Sequence, residues 1–290
     1  MHPDDRTPTR RARAIRLAAA GALVALATAG CSAEQLSTGF LPSTPETTDH
    51  TGRIIHLWNG SWIAALVVGA VTWGLMIWAM TAYRRRKHET GLPVQMRYHL
   101  PIEMMYTIIP LFMVGVLFFF TARDQNIITE QDQPVDETIQ VVGKRWAWDF
   151  NYLDQDVYET SEQVGDVGSA VQEDLPTMYL PVGQTVRLEL ESRDVIHSFW
   201  VPAFLYKEDM IPGRNNVYEF TPQVEGTYAG KCAELCGEYH SEMLFQVKVV
   251  SQEEYDEQMA LLEERGQTGA LEVELGRSDN FERELSEDDD

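Results

Sequence analysis

The chain has 290 residues, with 45 Asp and Glu against 23 Lys and Arg and a formal net charge of −22. This charge argues against nucleic acid as a partner, and the sequence contains no nucleic-acid-binding motif. The charge is uneven, because residues 1–123 carry 12 basic and 7 acidic residues, whereas residues 124–290 carry 11 basic and 38 acidic ones. We therefore expect an acidic domain after residue 123 that attracts a basic partner in a salt-dependent manner.

Residues 1–30 are predicted to be a signal peptide of the lipoprotein type. Several arginines precede a short apolar run and small residues, which is the pattern of a secretory signal. Ala29-Gly30-Cys31 is similar to a lipoprotein processing site with Cys31 as the lipidated N-terminus, although Thr28 stands where leucine is usual. Ordinary cleavage nearby, which would leave Cys31 a spare thiol, is the alternative. Residues 31–55, rich in Ser, Thr and Pro, are predicted to be an extracytoplasmic linker.

Residues 56–123 are predicted to form a transmembrane hairpin. The stretches 62–82 and 104–122 contain no charged residue, and each is long enough to cross a hydrocarbon core of about 30 Å. Two buried helices of a soluble protein are the alternative, but these runs lack the polar face of such helices. The loop between them, 83–99, is basic, so the positive-inside rule places it in the cytoplasm. Its basic residues are Arg84, Arg85, Arg86, Lys87 and Arg97.

Residues 124–250 are predicted to be an all-β domain. Segments such as Thr138–Val142, Val182–Leu190 and Phe245–Val250 are rich in β-branched residues and lie between Gly and Pro breaks. Short strands of this kind predict a sandwich or a Greek-key barrel. An aromatic segment follows the first strand, and alternation places its aromatic side chains on one face, usually a core face. These residues are Trp146, Trp148, Phe150 and Tyr152.

The strongest functional signal is a cluster of soft metal ligands near the end of this domain. Cys232, Cys236, His240 and Met243 fall within twelve residues, and His197 lies 35 residues before the first cysteine. Thiolate, thioether and imidazole together select copper over magnesium or calcium. A disulfide between the two cysteines is possible outside the cytoplasm, and a structural zinc site usually lacks methionine. The added His and Met therefore favour copper.

These motifs, with Ile211-Pro-Gly-Arg214 and the hairpin, resemble subunit II of haem-copper cytochrome c oxidases, of the aa3 type found in actinobacteria. The resemblance covers roughly residues 50–250. It implies a mainly β fold, in which a cupredoxin-like Greek-key domain follows a two-helix transmembrane hairpin. It also implies a binuclear copper centre, CuA, bridged by both thiolates. The implied copper ligands are His197, Cys232, the Glu234 backbone carbonyl, Cys236, His240 and Met243.

Three further roles follow from the resemblance. The side chain of Glu234 is implied to bind a magnesium or manganese ion shared with subunit I. Trp146 occupies the position where an electron enters from cytochrome c, although Ala147 departs from the usual tyrosine. Glu103 occupies the mouth of the K proton pathway, although a carboxylate at a membrane boundary is also a common interfacial residue. Haem a, haem a3 and CuB are implied in subunit I and not in this chain.

Two acidic segments lie outside the ligand motifs. Residues 154–176 form an insertion with seven acidic and no basic residues, and residues 251–290 form a tail with 15 acidic and 3 basic residues. A similar insertion in actinobacterial oxidases packs against a membrane-bound cytochrome c of a bc complex, so a supercomplex partner is expected. A solvated surface loop is the alternative. Within the tail, Gln252–Arg265 is predicted to be helical and the last five residues disordered.

The sequence thus predicts an oxidase subunit II anchored in the cell membrane by two spans, with its copper domain on the extracytoplasmic side. It would take electrons from a c-type cytochrome to haem a of subunit I, where dioxygen is reduced and protons are translocated. A copper-free quinol oxidase subunit is one competitor, which the intact ligand set disfavours. A membrane-anchored copper delivery or storage protein is the other, and it would not need Glu103 or Ile211–Arg214.

Overall fold

The computed structural model describes residues 17, 18, 21, 30, 32–85, 91–92, 95–131, 133–161 and 175–273. Residues up to 40 form a unit of their own. In the described part of that unit, the short helix α1 (Ala33–Thr38) is capped by the Ser32 side chain and ends at Gly39 in the left-handed conformation. Cys31 and most of the predicted signal peptide lie outside the described residues, as does much of the loop between the predicted spans.

Two long helices follow, α2 (Thr51–Ala82) and α3 (Leu100–Ile128). Both are long and apolar enough to cross a membrane, with mean hydropathies of 2.0 and 2.1. Their apolar side chains are exposed all round rather than along one stripe, as expected for helices that contact lipid or other membrane helices. The predicted spans lie inside these helices, but α2 begins eleven residues before the first predicted span.

The last part of the predicted linker, residues 31–55, is bonded to the β domain. Asp49 and Thr221 exchange two hydrogen bonds, from the Asp49 amide to the Thr221 carbonyl at 3.1 Å and from the Thr221 amide to Asp49 Oδ1 at 2.9 Å. His50 Nε2 lies 3.0 Å from the Glu219 carbonyl. Composition suggested a linker because Thr and Asp are turn formers, but here they cap a helix and pair with the β domain.

The β domain consists of two five-stranded sheets. One has the order β3-β2-β1-β5-β8 and the other β4-β10-β9-β6-β7, with β1–β5 and β4–β10 as the parallel pairs. This arrangement confirms the mainly β, cupredoxin-like domain after two apolar helices. The strands are β1 (Glu137–Lys144), β2 (Ala147–Tyr152), β3 (Val157–Thr160), β4 (Thr177–Pro181), β5 (Val186–Ser192), β6 (His197–Val201), β7 (Tyr206–Met210), β8 (Asn216–Phe220), β9 (Gly226–Cys232) and β10 (Leu244–Val250).

The core lies between the two sheets, and its centre is aromatic. The Phe245 ring is 4.8 Å from Trp148, 4.9 Å from Phe199 and 5.9 Å from Phe150, measured between centroids. Alternation along β5 places its three aliphatic side chains in the same core. Trp146 does not share the face of Trp148, because it lies in the turn before β2 begins.

The predicted acidic insertion, residues 154–176, is partly regular structure. Its first residues form β3, which pairs antiparallel with β2, and residues 162–174 lie outside the described part. The predicted tail helix is present as α4 (Gln252–Glu264), and it buries Tyr255, Met259 and Leu262. The chain then runs along β3, where the Tyr158 amide donates to Gln267 at 3.0 Å and the Gly269 amide to Asp156 at 2.7 Å.

Candidate metal centre

The ligand motifs meet at one end of the sandwich because of strand pairing. His197 is the first residue of β6 and Cys232 is the last residue of β9, and these neighbouring antiparallel strands pair Phe199 with Cys232. The loop after Cys232 contains a 3-10 turn, His240–Glu242, and returns to the sheet at Met243. The Cys232 amide donates to the Met243 carbonyl at 2.9 Å. The loop is therefore closed at its base, which keeps its donors together.

The five predicted side-chain donors converge in this structure. Cys232 Sγ lies 3.8 Å from Cys236 Sγ and 3.8 Å from His197 Nδ1. Cys236 Sγ lies 3.6 Å from His240 Nδ1 and 3.9 Å from Met243 Sδ. Both cysteines are free thiols, and they are buried together with His197 and Met243. The two cysteine sulfur atoms thus lie between the imidazoles of His197 and His240, and the thioether of Met243 lies next to Cys236 Sγ.

The imidazole of His197 has a fixed orientation. Its Nε2 lies 2.8 Å from Asp194 Oδ1, and since an ionised carboxylate only accepts hydrogen bonds, Nε2 is the donor. The other ring nitrogen, Nδ1, is the one that faces Cys232. A carboxylate behind an imidazole is the usual outer partner of a metal-bound histidine. His197 is completely buried, and a Cβ atom on Gly143 would lie 3.2 Å from its Cβ, Cγ and Cδ2 atoms.

The protonation of the cluster before a metal binds is uneven. Burial raises the pKa of the Cys232 thiol, but hydrogen bonds from His197 and from backbone amides outweigh burial and lower it to about 6. Burial, followed by the charge of Cys232, raises the pKa of Cys236 to about 12. Burial also lowers the pKa of His197, but its hydrogen bond to Asp194 prevails and the pKa rises. Before a metal binds, Cys232 is therefore the more acidic of the two thiols.

These residues fit a metal with a preference for soft ligands. One nitrogen and two sulfur atoms from His197, Cys232 and Cys236 all lie within 4.8 Å of one another. Met243 Sδ and the Glu234 carbonyl stand beside the sulfur atoms, the latter 3.2 Å from Cys232 Sγ. Thiolate, thioether and imidazole are ligands for copper, and the methionine argues against structural zinc. Glu234 is exposed to solvent.

Trp146 packs against the ligand loop rather than inside the core. Its ring meets the ring of Tyr239 edge-on, at 4.9 Å between centroids. Gly237 has a φ of +128°, and a Cβ atom there would lie 2.8 Å from the Trp146 ring. Only glycine suits that position, because a side chain would be strained and would displace the ring. Trp146 therefore contacts Tyr239, the residue that precedes His240 in the sequence.

Glu103 lies far from this cluster, at the start of α3. Its Oε1 accepts a hydrogen bond from the His99 amide at 2.9 Å, and His99 Nδ1 accepts one from the Ile102 amide at 3.4 Å. The two side chains form a reciprocal cap of the kind that stabilises helix N-termini. This contact is local and would form at the start of any helix with these residues. Cys31, the predicted lipidation site, lies outside the described residues.

The sequence reasoning missed two residues that contact the cluster, Asp194 and Gly143. Asp194 stands three residues before His197, so an acidic residue next to a candidate ligand was a signal that could have been used. Gly143 gave no local signal, because its contact with the imidazole joins β1 to β6, which are distant in the sequence.

A β-sandwich with buried thiols, imidazoles and a thioether at one end, preceded by two apolar helices, defines a membrane-anchored, cupredoxin-like metal protein. A family model described as the periplasmic domain of cytochrome c oxidase subunit II matches residues 137–250. The probable cytochrome c oxidase subunit 2 of Streptomyces coelicolor is 44% identical over 91% of this chain and 92% of its own length. The chain belongs to the cytochrome c oxidase subunit II family.

Other similar proteins have related descriptions. Cytochrome c oxidase subunit 2 of Mycobacterium tuberculosis is 33% identical over 91% of this chain and 85% of its own length. Among solved structures, the periplasmic domain of subunit II of Bradyrhizobium japonicum cytochrome oxidase is 32% identical, covers 47% of this chain and 99% of that chain, and has a TM-score of 0.42.

Family membership establishes the coarse function. The chain is a subunit of haem-copper cytochrome c oxidase, an oxidoreductase complex of the electron transport chain. Its two candidate membrane helices are consistent with a membrane-anchored subunit. Membership also implies a copper centre, and the buried His and Cys cluster fits a metal site.

Proposed function

We propose that this subunit accepts electrons from a c-type cytochrome at a binuclear copper centre, CuA, and passes them to haem a of subunit I. Dioxygen is then reduced to water in subunit I, and the reaction is coupled to proton translocation. The observation that carries the proposal is the convergence of two free thiols, two imidazoles and a thioether at one buried site. The basic loop between the two helices supports an extracytoplasmic position of the β domain.

The proposed ligands divide into a shared pair and flanking groups. Cys232 and Cys236 would contribute both sulfur atoms to the two metal ions, since each sulfur already faces an imidazole. His197 and His240 would bind through Nδ1, the nitrogen that faces sulfur in both rings. The flanking donors would be Met243 Sδ and the Glu234 carbonyl. A copper pair that shares two thiolates supplies a one-electron carrier that needs little change of geometry on reduction.

The protein's own contribution is to keep these donors in place and dry. The closed base of the ligand loop fixes the spacing of the two sulfur atoms, and burial excludes water from His197. Preorganised ligands lower the reorganisation that accompanies a change of charge. The site should relay electrons and should not reduce dioxygen by itself.

Electrons would reach the site by way of Trp146. The indole lies against Tyr239, the neighbour of His240, so a partner that touches this ring comes close to a proposed ligand. The acidic charge of residues 124–290 favours a basic partner, such as a c-type cytochrome, and makes its association depend on salt. Replacing Trp146 with Phe should slow electron uptake while leaving the copper content unchanged; equal rates would contradict this role.

Two carboxylates would serve the larger complex. The exposed side chain of Glu234 would bind a magnesium or manganese ion at the boundary with subunit I, so Glu234→Gln in the purified oxidase should lower the content of that metal and not of copper. Glu103 would stand at the mouth of the K proton pathway. Because Glu103 also caps α3, Glu103→Gln, which keeps the cap, should still slow turnover if proton uptake is the reason.

The N-terminal and acidic segments complete the proposal. Residues 1–30 would be a signal peptide that is removed, and Cys31 would be lipidated, which mass spectrometry of the mature chain tests. A membrane-bound cytochrome c of a bc complex would contact the acidic insertion in a supercomplex. A deletion that tests this contact should remove residues 162–174 only, because residues 157–160 form β3. It should weaken isolation of the supercomplex without loss of copper.

The decisive experiment uses the full chain purified in detergent and loaded with copper. Metal analysis should give two coppers per chain, and electron paramagnetic resonance should show one unpaired electron shared by both. Cys232→Ser should abolish this signal, whereas Cys31→Ser, a matched change at the third cysteine, should leave it intact. One exchangeable copper would instead indicate copper delivery, and no copper would indicate a redox-silent subunit.

A further inference from the structure

Asp194 is the one carboxylate, within the described residues, that contacts an imidazole of the metal cluster. It has three partners. Oδ1 lies 2.8 Å from His197 Nε2 and accepts from the Val195 amide at 2.7 Å, and Oδ2 accepts from the Arg145 amide at 2.8 Å. Only 13% of its side chain is exposed. Both carboxylate oxygens therefore have defined partners, and the Arg145 side chain adds an ion pair from its Nε to Oδ2 at 3.5 Å.

The Arg145 contact joins the metal cluster to a turn on the other sheet. Arg145 lies in the turn between β1 and β2, next to Trp146. On its other side the turn is held by the packing of Trp146 against Tyr239 and Gly237, which belong to the ligand loop. One turn is thus bonded to both ligand-bearing segments, through Asp194 on one side and Trp146 on the other.

Gly143 completes the support of the imidazole. It precedes the same turn at the end of β1, and its carbonyl accepts a hydrogen bond from the Arg193 amide at 3.0 Å. Its missing side chain leaves room for His197, whose Cβ, Cγ and Cδ2 would lie 3.2 Å from a Cβ atom placed there. The imidazole of His197 is therefore packed close to Gly143 and hydrogen-bonded to a fixed acceptor, Asp194. Neither position leaves the imidazole free to rotate.

We infer that Asp194 is a positioning residue of the metal centre. It keeps the proton of His197 on Nε2, so that the lone pair of Nδ1, which faces the sulfur atoms, is available to bind the metal. It also ties that imidazole to the turn that carries Trp146. This inference rests on the proposed copper function. It differs from the role of a surface charge that attracts a cytochrome, because it predicts effects on the metal site when no partner is present.

Asp194→Asn separates the two contacts. An amide has one oxygen and one NH2 group, so it can accept from His197 or from Arg145 but cannot accept from both. Asp194→Leu has a similar size and no acceptor, so it loses both contacts. Asp136→Asn is the matched control, because Asp136 Oδ2 accepts a hydrogen bond from the Thr185 amide at 2.8 Å in an analogous way and is not among the cluster's contacts.

The test compares the full-length chain and these variants in detergent. Removal of an outer partner of a metal-bound histidine typically lowers metal affinity by about 10–100-fold. We expect a loss in this range for Asp194→Leu and a smaller one for Asp194→Asn, by competition with a copper chelator, together with altered copper hyperfine splitting in electron paramagnetic resonance. Before copper is added, the Arg145 amide should exchange its hydrogen faster in Asp194→Leu, which has no acceptor for it, than in Asp136→Asn.

The outcomes separate this inference from the proposed function. A wild-type chain that fails to bind two coppers overturns the proposed function and this inference together. A wild-type chain that binds two coppers overturns this inference alone if both Asp194 variants keep a copper affinity within twofold of the control and an unchanged hyperfine splitting, and if Arg145 exchange in Asp194→Leu is also within twofold of the control. Asp194→Asn is nearly isosteric, so a failure of Asp194→Leu to fold leaves the Asn variant to decide.

Discussion

Gly230 is a position where one added methyl group should disturb the core. It lies in β9, two residues before Cys232, and a Cβ atom built there would be 2.2 Å from Cε2, 2.3 Å from Cζ and 2.6 Å from Cδ2 of Phe245. Carbon atoms in contact normally stand about 3.5–4.0 Å apart. The Gly230→Ala variant must therefore separate the methyl group and the ring by more than about 1 Å.

The Phe245 ring has nowhere to move without cost. It is completely buried, with Trp148 and Phe199 both within 5 Å between centroids. Overpacking of a core typically costs about 1–3 kcal/mol, and Gly→Ala returns about 0.4–1 kcal/mol by restricting the unfolded chain. We expect a net loss of about 1–2 kcal/mol in the free energy of unfolding. At about 2–4 °C per kcal/mol, this corresponds to a decrease in Tm of about 2–8 °C.

The assay is a double-mutant cycle read by thermal unfolding of the full chain in detergent. Phe245→Leu removes the part of the ring that the methyl group meets, so Gly230→Ala should cost at least about 1 kcal/mol less in that background. The copper signal of each variant shows whether the ring or the strand moved, since a shifted β9 would carry Cys232 with it. An equal cost of Gly230→Ala in both backgrounds would refute the steric argument.

Three further predictions concern the metal centre. Mild oxidation of the copper-free chain should join Cys232 to Cys236, whose sulfur atoms are 3.8 Å apart, and should block copper uptake until a thiol reductant is added; uptake that survives oxidation would contradict this. The pKa of Cys236 is raised to about 12 and that of His197 is also raised, so copper must displace protons from both groups. The apparent copper affinity should therefore increase about tenfold or more per pH unit between pH 7 and 9. A copper affinity that does not change with pH in chelator competition would contradict these shifts. Gly143→Ala should push the His197 ring by a few tenths of an ångström, which should change the copper hyperfine splitting while two coppers are retained; an unchanged spectrum would show that the strand yields instead.

The ligand cluster could be predicted from the sequence because its residue types are typical metal ligands. Cys232, Cys236, His240 and Met243 share one loop, and soft donors at such close spacing have few other uses. The membrane helices were equally accessible, because a long uncharged run has few interpretations. His197 was assigned through the family resemblance, and the pairing of β6 with β9 explains how it reaches the loop.

What the sequence could not supply was contact between segments that are distant along the chain. Trp146 belonged by alternation to the core face of β2, but the strand begins one residue later and leaves the indole on the ligand loop. Asp49 and His50 looked like linker residues because only the fold brings Thr221 and Glu219 to them. Val157–Thr160 looked like part of an acidic loop, and it became an edge strand because β2 offered it a partner.

The bonds between Asp49 and Thr221 have a consequence for how the domain is mounted on its helices. The α2 helix begins at Thr51, directly after these bonds, and the far end of α3 is held by an ion pair between Asp124 and Arg53 at 3.3 Å. Hydrogen bonds therefore tie the β domain to the start of α2, and the ion pair ties α2 to the end of α3. When the two helices lie in a membrane, these bonds would limit movement of the metal cluster relative to the bilayer, and lengthening the chain between residues 41 and 46 should leave its distance from the bilayer unchanged.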